Sequence, residues 1–589
     1  MRCDIGNREP GAGNPSTGLR AGREPGILRR ASIATLGLVA CTFTLLAQAQ
    51  RPFDILITNA RIVDGTGGPS RTGSVAISDG KIAAVGAVAG AATRTIDARG
   101  RALSPGFIDM HTHSDMTLVT DGNGQSKIRQ GVTTEVIGES GSVAPRKAPT
   151  AAAPWTDFAG YFATLEKRGI SPNLLSYVGL GTIREQVVGE DDRKPTAAEL
   201  ATMKKLVSSL MDQGIFGVST GLIYPPNAYA DVEELVELSR PAADKGGLYA
   251  SHIRFDGPKL VDGINEAIAI GERAKLPVHV FHIKVTGQRN FGRMKEVVKL
   301  VEAARARGVR VTADQYPYIA SSTGLTATIP PWAQDGGSAK LVERLKDPAM
   351  RARIRKEMED PNPTWESRYQ SAGTWKNVQL AAIGRTRGAA TQGESPNRKY
   401  EGMRVEDAAK LAKKDPFDFV FDLLIEERSL GCVYFIIDEA DLTLAMKQPW
   451  VAVGSDGSSL ATEGPLRTGV PHPRNFGTFP RVLGRYVREQ KVISLEEAVR
   501  KMTSLPASIL NLSDRGTIAV GKWADLVIFD PATVADKATF EDPFQYPVGI
   551  DTVLVNGQVV LDQGKHTGAR PGKVVKRPTA GVAPSRGAF

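Results

Sequence analysis

The 589-residue sequence is poor in cysteine and has few long apolar runs. Its three cysteines are Cys3, Cys41 and Cys432, and two of them lie in the first 50 residues. The body of the chain therefore holds one thiol and cannot be a disulfide-stapled small scaffold. A domain of this size buries enough core without covalent links, so the shortage of cysteine does not argue against export.

The basic charge is confined to the two ends of the chain. The formal net charge is +10, and the first 50 residues carry six arginines against three acidic residues. From Lys565 onward there are six lysines or arginines and no acidic residue. Because the body between them is close to neutral, the sequence does not favour a nucleic-acid partner. We expect residues 576–589 to form a solvated basic tail.

Residues 1–49 have the features of a secretory signal peptide. Arg29 and Arg30 precede an apolar stretch too short to span a bilayer, and Ala47-Gln48-Ala49 is an A-x-A cleavage site. The run Leu38–Cys41 also resembles a lipoprotein box, but the apolar stretch continues beyond it. We therefore favour cleavage after residue 49 over lipid attachment through Cys41. The mature chain is expected in the periplasm or outside the cell, without a transmembrane segment.

Both ends of the mature chain have the alternation of β-strands, and the middle alternates strands with helices. Hairpins with Asp79-Gly80 and Asn556-Gly557 turns lie in residues 53–104 and 506–575, which we predict to form one small β-sandwich. Repeated βα units over residues 105–505 favour an α/β barrel over a doubly wound sheet. The alternation of strands and helices is interrupted at about 330–430, where we predict an inserted subdomain beside the barrel mouth.

Metal-binding side chains end several of the predicted barrel strands. The apolar run Phe107–Met110 leads into His111-Thr-His113, and at period two both imidazoles lie on the same side of the strand. His252 and His282 end two later strands, and Asp456 ends the last. Because the carboxyl ends of barrel strands meet at one edge, these side chains predict a zinc site with room for water.

These motifs resemble the amidohydrolase superfamily and, within it, the D-aminoacylases (N-acyl-D-amino-acid deacylases). The resemblance spans about residues 53–575 and rests on the segments Pro105–His113, Gly131–Thr134, Ala250–Arg254, Phe281–Lys284, Asp314–Tyr318, Gly454–Gly457 and His472–Tyr486. It implies a TIM-like (β/α)8 metal-dependent hydrolase barrel with the β-sandwich and inserted subdomain described above. It also implies hydrolysis of a linear amide bond in N-acyl-D-amino acids, with one or two zinc ions as cofactor.

The resemblance implies roles for the matched residues. His252 and His282 hold the tight zinc, while His111 and His113 hold a second, weaker or optional metal. Asp456, itself a metal ligand, takes a proton from the metal-bound water and later protonates the leaving amine. The substrate's carboxylate or carbonyl is bound by residues matching family positions, namely Lys284, Tyr316, Ser322 and Arg474. Arg254, near the same edge, is a further candidate to bind the free carboxylate of a small-molecule substrate.

One stretch departs from the pattern of this family. Many relatives carry a Cys ligand in Gly-Asn-Cys-Gly, whereas this chain reads Gly138-Glu-Ser-Gly141. A neutral serine is a poor zinc ligand and a carboxylate is a good one. We therefore predict Glu139, rather than Ser140, as a metal ligand or as a bridge between two metals. The alternative is that Glu139 supports the ligands or the fold without binding metal.

Two other functions compete with amide hydrolysis of this kind. A cyclic-amide hydrolase of the hydantoinase or dihydroorotase type shares the barrel, and fold alone does not separate chemistries. That group often uses a carboxylated lysine, and no lysine ends a barrel strand at the expected place. The other alternative is a secreted binding protein that has lost catalysis, which the intact histidine set and Asp456 argue against. The sequence does not reveal the acyl group, the amino-acid side chain or the oligomeric state.

Overall fold

The structure is a computed structural model that describes residues 52–384, 395–427 and 429–577. The predicted signal peptide of residues 1–49 and the end of the basic tail lie outside these ranges, so export stays a prediction. Across the described ranges, no helix combines the length and the apolar character needed to cross a bilayer.

The amino-terminal part of the chain is a β-structure, as the alternation predicts. Its strands are β1 (Phe53–Ile62), β2 (Arg71–Ser78), β3 (Lys81–Gly86), β4 (Ala92–Asp97) and β5 (Ala102–Pro105). The hairpin of β2 and β3 turns at Asp79 and Gly80, which both have positive φ, at 51° and 76°. Two residues in this conformation make the turn whose twist matches the flanking strands.

A parallel barrel follows, and its strands come in chain order. They are β6 (Phe107–Asp109), β7 (Val132–Ile137), the consecutive pieces β8 (Asn173–Ser176) and β9 (Val178–Gly179), β10 (Gly217–Gly221), β11 (Leu248–His252), β12 (Val278–Val280) and β13 (Val311–Gln315). The helices between them are Thr117–Thr120, Gln125–Ile128, Phe158–Arg168, Leu180–Val187, Ala197–Met211, Val232–Asp244, Leu260–Ala274 and Met294–Ala306. The capping box predicted at Thr196 and Glu199 starts the helix Ala197–Met211.

An inserted subdomain separates the seventh barrel strand from the eighth. It contains an antiparallel sheet of β14 (Ser321–Gly324), β15 (Val378–Ile383) and β16 (Leu430–Tyr434). Its helices are Ser338–Lys346, Pro348–Glu359, Arg368–Ala372, Val405–Leu411 and Pro416–Glu426, and they share a core of their own. The subdomain begins at Ser321 rather than at about 330, because the Ser-Ser-Thr-Gly strand β14 has no apolar alternation to reveal it.

The last barrel strand closes the ring. After the helix Glu439–Met446, β17 (Val451–Val453) pairs in parallel with β13, and the bridge between Thr112 and Gly457 joins its end to the end of β6. Counting β8 and β9 as one interrupted strand, eight parallel strands form the ring. This confirms the predicted (β/α)8 barrel and rules out the doubly wound sheet. The helices that follow are Arg474–Arg481, a π-helix Val482–Glu489, Leu495–Met502 and Ser504–Ile509.

The carboxy-terminal strands complete the sheet begun at the other end of the chain. They are β18 (Leu526–Phe529), β19 (Ile550–Val555), β20 (Gln558–Asp562) and β21 (Lys565–His566). Strand β18 pairs antiparallel with β5, which joins both ends into one nine-stranded sheet. Leu526 and Ile528 pack with the core of β1 and β2, whereas Val527 and Phe529 face the cluster that includes Phe107 of the barrel. This alternation fastens the sheet to the barrel.

The backbone of the segment that leads into the predicted basic tail is bound to the barrel. Residues 571–577 run along the amino end of the barrel, where Gly572 and Val575 donate backbone hydrogen bonds to Ile170 and Leu174. Arg577 donates its backbone N–H to Gly214 in the same region. Backbone pairing therefore fixes this segment, while Lys573 and Lys576 stay exposed. It lies at the opposite end of the barrel from the predicted metal ligands.

A fully buried ion pair links the first and last barrel strands below the metal ligands. Lys127 Nζ lies 2.8 Å from Asp109 Oδ2, and neither side chain is exposed. The same ammonium group donates to the hydroxyl of Ser455, whose backbone N–H donates to Asp109 Oδ1 at 2.8 Å. Asp109 precedes His111 by two residues and Ser455 precedes Asp456 by one. The pair therefore fixes the two strand ends relative to each other.

Replacing Lys127 should destabilise the fold, because Lys127→Met leaves the Asp109 carboxylate buried without its cation. Removing one partner of such a pair costs about 3–5 kcal/mol of unfolding free energy, which urea denaturation followed by circular dichroism measures. The matched control is Lys340→Met, since the Lys340–Glu343 pair is more than half exposed on both sides. That change should stay within about 0.5 kcal/mol of wild type. Equal stability of the two variants would contradict the assigned role of Lys127.

Candidate metal centre

The carboxyl ends of five barrel strands bring the predicted metal ligands into one cluster. His111 and His113 follow β6, Glu139 follows β7, His252 ends β11, His282 follows β12 and Asp456 follows β17. Their ligand atoms form two groups, each with all atoms within 4.8 Å of one another. The first group contains His111, His113, Glu139 and Asp456, and the second contains Glu139, His252 and His282.

Glu139 belongs to both groups because its two carboxylate oxygens face different pairs of imidazoles. Oε2 lies 2.9 Å from His111 Nε2 and 3.1 Å from His113 Nε2. Oε1 lies 3.5 Å from His252 Nδ1 and 3.7 Å from His282 Nε2. A carboxylate in this position can bridge two cations. The adjacent Ser140 is oriented differently, since its hydroxyl receives a hydrogen bond from Asn227 Nδ2 at 2.9 Å.

The donor set fits a divalent metal. Glu139 Oε1 and His252 Nδ1 are buried, and neither has a hydrogen-bond partner in the described part of the chain. Buried polar atoms rarely lack a hydrogen-bond partner. Two such atoms side by side therefore indicate a bound group that accepts a lone pair from each of them. Imidazole nitrogens with carboxylate oxygens are ligands typical of zinc.

The backbone at three of these strand ends has the left-handed conformation. Ser140, His282 and Asp456 have φ of 59°, 36° and 50°. Non-glycine residues at such φ values cost free energy and persist where their surroundings hold them in place. The backbone N–H of His282 donates to Asp314 Oδ1 at 2.8 Å, and that of Asp456 donates to the His111 carbonyl at 2.8 Å. These bonds hold the sharp turns that direct both side chains to the cluster.

Opposite charges control the protonation of the cluster. Burial opposes a charge on His111, but the Glu139 and Asp456 carboxylates outweigh it and raise its pKa to about 10. Burial and the neighbouring His282 lower the pKa of His252 to about 3. Burial disfavours the charged form of Asp456, yet Arg474 and His111 hold its pKa well below the ordinary value. Asp456 is therefore ionised at neutral pH.

A cavity opens over this cluster. Of the predicted substrate-binding residues, Lys284, Tyr316 and Ser322 line it. The Tyr316 hydroxyl is buried and has no partner among the described residues. Arg474 lies against the same wall, with its guanidinium 2.8 Å from Asp456 Oδ2 and 4.9 Å from the centre of the Tyr316 ring. These four residues are brought together as predicted.

Arg254 is not brought into the cavity, and the prediction that it binds substrate needs correction. Its guanidinium pairs with the Glu266 carboxylate at 2.8–3.0 Å and donates to the backbone carbonyls of Ala228 and Ala230. It is absent from the residues that line the cavity. The chain leaves β11 at His252, so the period-two alternation no longer orients the side chain two residues later.

Sequence reasoning missed several residues of the cavity wall. Arg368, from the inserted subdomain, is almost fully buried and binds both Asp256 oxygens, at 2.6 and 2.9 Å. Asp256 also lies 3.1 Å from Lys284 Nζ. Tyr224 packs edge-on against His252. The position of Tyr224 just after β10 is a signal that could have identified it, whereas nothing periodic surrounds Arg368.

Comparison with known proteins agrees with this geometry. A model described as "Amidohydrolase family" matches residues 94–168 and 402–561. A D-aminoacylase of Alcaligenes xylosoxydans xylosoxydans is 35% identical over 90% of this chain and 99% of its own length. An N-acyl-D-glutamate deacylase of the same organism is 34% identical over 90% of this chain and 97% of its own length.

A solved structure shows the same similarity in three dimensions. It is the N-acyl-D-glutamate deacylase of Bordetella bronchiseptica, complexed with zinc and a phosphonate inhibitor that mimics the tetrahedral intermediate of the reaction. It superposes with a TM-score of 0.75 at 33% identity, covering 89% of this chain and 100% of that one.

Zinc affinity at the His111–His113 pair should rise with pH. In the metal-free protein His111 is protonated at neutral pH, because its pKa is raised to about 10. Zinc needs the neutral imidazole, so binding must displace this proton. Affinity should increase about tenfold per pH unit between pH 7 and 9, with release of about one proton. Calorimetry in buffers of different ionisation enthalpy measures both quantities. An affinity for this ion that stays constant over the same range would contradict the protonation assigned to His111.

Proposed function

Because this chain belongs to the D-aminoacylase family of amidohydrolases, we propose that it hydrolyses the amide bond of N-acyl-D-amino acids. The products are a carboxylic acid and a D-amino acid. The observation that carries the proposal is the position of Glu139, whose two oxygens face two pairs of histidines beneath a cavity with cationic walls.

Zinc is the cofactor that suits this donor set. One ion would be held by His111, His113, Glu139 and Asp456, and another by Glu139, His252 and His282. When bound, zinc supplies a Lewis acid that makes water nucleophilic at neutral pH and polarises the amide carbonyl.

Asp456 is positioned to move the proton. Its Oδ1 lies 2.9 Å from His113 Nε2, and its Oδ2 lies 2.8 Å from the Arg474 guanidinium. Because its pKa is held low, the carboxylate is ionised and can accept the proton of the attacking water. It can then give this proton to the amine as the bond to the acyl carbon breaks. The leaving amine is thereby neutral when it departs.

The part of the cavity wall beside the cluster suits a free carboxylate. Lys284 supplies a buried ammonium group and Tyr316 supplies a buried hydroxyl. Arg474 is almost fully buried and also contacts the catalytic carboxylate of Asp456. Binding the substrate's carboxylate beside Arg474 would therefore orient the amide towards Asp456. Holding the amide and Asp456 in a fixed orientation raises the rate of the reaction in addition to the affinity for substrate.

Asp456→Asn should remove the proton carrier while leaving the fold intact. We expect kcat/KM for N-acetyl-D-amino acids to fall by about 10²–10⁴-fold, the usual contribution of general acid–base catalysis. The measurement is a panel of N-acetyl-D- and N-acetyl-L-amino acids with hydantoins beside them, assayed with added zinc. The control is Asp562→Asn, at an exposed ion pair with Arg94 on the outer sheet, which should retain full activity. Unchanged activity of Asp456→Asn would overturn its role, and hydrolysis of hydantoins alone would overturn the proposed substrate.

A further inference from the structure

We propose that the cavity selects N-acyl-D-amino acids that have a short acyl group and an uncharged, hydrogen-bonding side chain, with Ser321 as a residue that determines this specificity. This inference rests on the proposed function and specifies the substrate for the same site.

The side chains of the cavity wall are mainly polar. Among the described residues that line it, none is alanine, valine, leucine, isoleucine or methionine, and Tyr224 and Tyr316 supply the aromatic surface. A long acyl chain or a leucine side chain would find little apolar surface here and would displace water from polar groups. Such groups lose free energy when they are buried without partners.

The balance of charge in the wall leaves room for one carboxylate. Arg368 and Lys284 share the single carboxylate of Asp256. Arg474 pairs with Asp456 at 2.8 Å. Glu139, the other carboxylate of the wall, faces four imidazoles rather than these cations. Three cations thus share two carboxylates, and the remaining positive charge suits the α-carboxylate that every N-acyl-amino acid carries.

A side-chain carboxylate would therefore lack a partner. Glu366 lies 3.6 Å from Arg368. Burial and the neighbouring Asp256 raise the pKa of Glu366 to about 8, so at neutral pH it is mostly protonated and leaves this positive charge in place. An unpaired charge in a buried site is strongly unfavourable. The wall thus favours glutamine over glutamate in the substrate, although the two side chains have nearly the same shape.

Hydroxyl groups on the edge strand of the inserted subdomain provide the hydrogen bonds. Thr323 Oγ1 is paired with the Tyr224 hydroxyl at 2.8 Å. Ser321 is 5% exposed and lines the cavity, and its buried hydroxyl has no partner among the described residues. A buried group in this state is destabilising until a ligand pairs with it. A polar substrate side chain would satisfy Ser321, and an apolar one of equal shape would not.

Pairs of substrates with matched shapes test the inference. We would measure kcat/KM for the N-acetyl derivatives of D-Thr and D-Val, D-Asn and D-Leu, and D-Gln and D-Glu, and for N-octanoyl-D-Thr. The first member of each pair should be preferred at least tenfold, and N-acetyl-D-Thr should exceed its N-octanoyl analogue by a similar factor. Ser321→Ala should reduce the Thr/Val ratio about tenfold, through a loss of kcat/KM with N-acetyl-D-Thr. The control is Ser239→Ala, because Ser239 is another buried serine without a hydroxyl partner among the described residues, but lies on the helix Val232–Asp244 outside the cavity. It should leave every ratio unchanged.

The outcomes separate the two proposals. If no N-acyl-D-amino acid is hydrolysed, the proposed function fails. If N-acetyl-D-Val, D-Leu or D-Glu equals or exceeds its partner, or the octanoyl substrate equals the acetyl one, the function stands and the specificity is overturned. If the preferences hold but Ser321→Ala leaves the Thr/Val ratio unchanged, the role of Ser321 is overturned.

Discussion

The contact between the Glu139 carboxylate and four imidazoles is the interaction on which the rest of the site depends. Each oxygen faces one histidine pair, at 2.9 and 3.1 Å for Oε2 and at 3.5 and 3.7 Å for Oε1. The pairs come from strands on different sides of the barrel, so they can share one carboxylate only if the ring is closed and in register. The barrel, the buried Lys127–Asp109 pair and the outer sheet all contribute to that closure.

The same arrangement explains how the chain can replace a thiolate with a carboxylate. Glu139 brings two oxygens to the cluster from the position before Ser140, which is where the family resemblance places a cysteine. Ser140, which stands where the cysteine would, turns its hydroxyl to Asn227 with positive φ. The turn thus presents Glu139 to the cluster and takes Ser140 away from the ligand position. The side chains around the cavity above the cluster are mainly polar. Such surroundings suit a reaction in which Asp456 accepts a proton and then releases it.

Much of the fold and the cluster could be predicted because both depend on periodic signals. Alternation identified the strands, and a polar residue at each strand end identified His111, His113, His252, His282 and Asp456. Arg368 could not be predicted, because it reaches the cavity from an irregular segment of the inserted subdomain, about 50 residues beyond the strand that precedes the insertion. Arg254 was misplaced for the converse reason. It lies near a strand end, but Glu266 on the next helix binds its guanidinium, and sequence spacing does not reveal that competition.

Anomalous diffraction at the zinc absorption edge, from crystals grown with zinc, tests the central claim most directly. We expect anomalous density beside Glu139, with His252 and His282 as ligands of one ion and His111, His113 and Asp456 as ligands of a second. Zinc density elsewhere in the molecule, with none next to the Glu139 carboxylate, would contradict it.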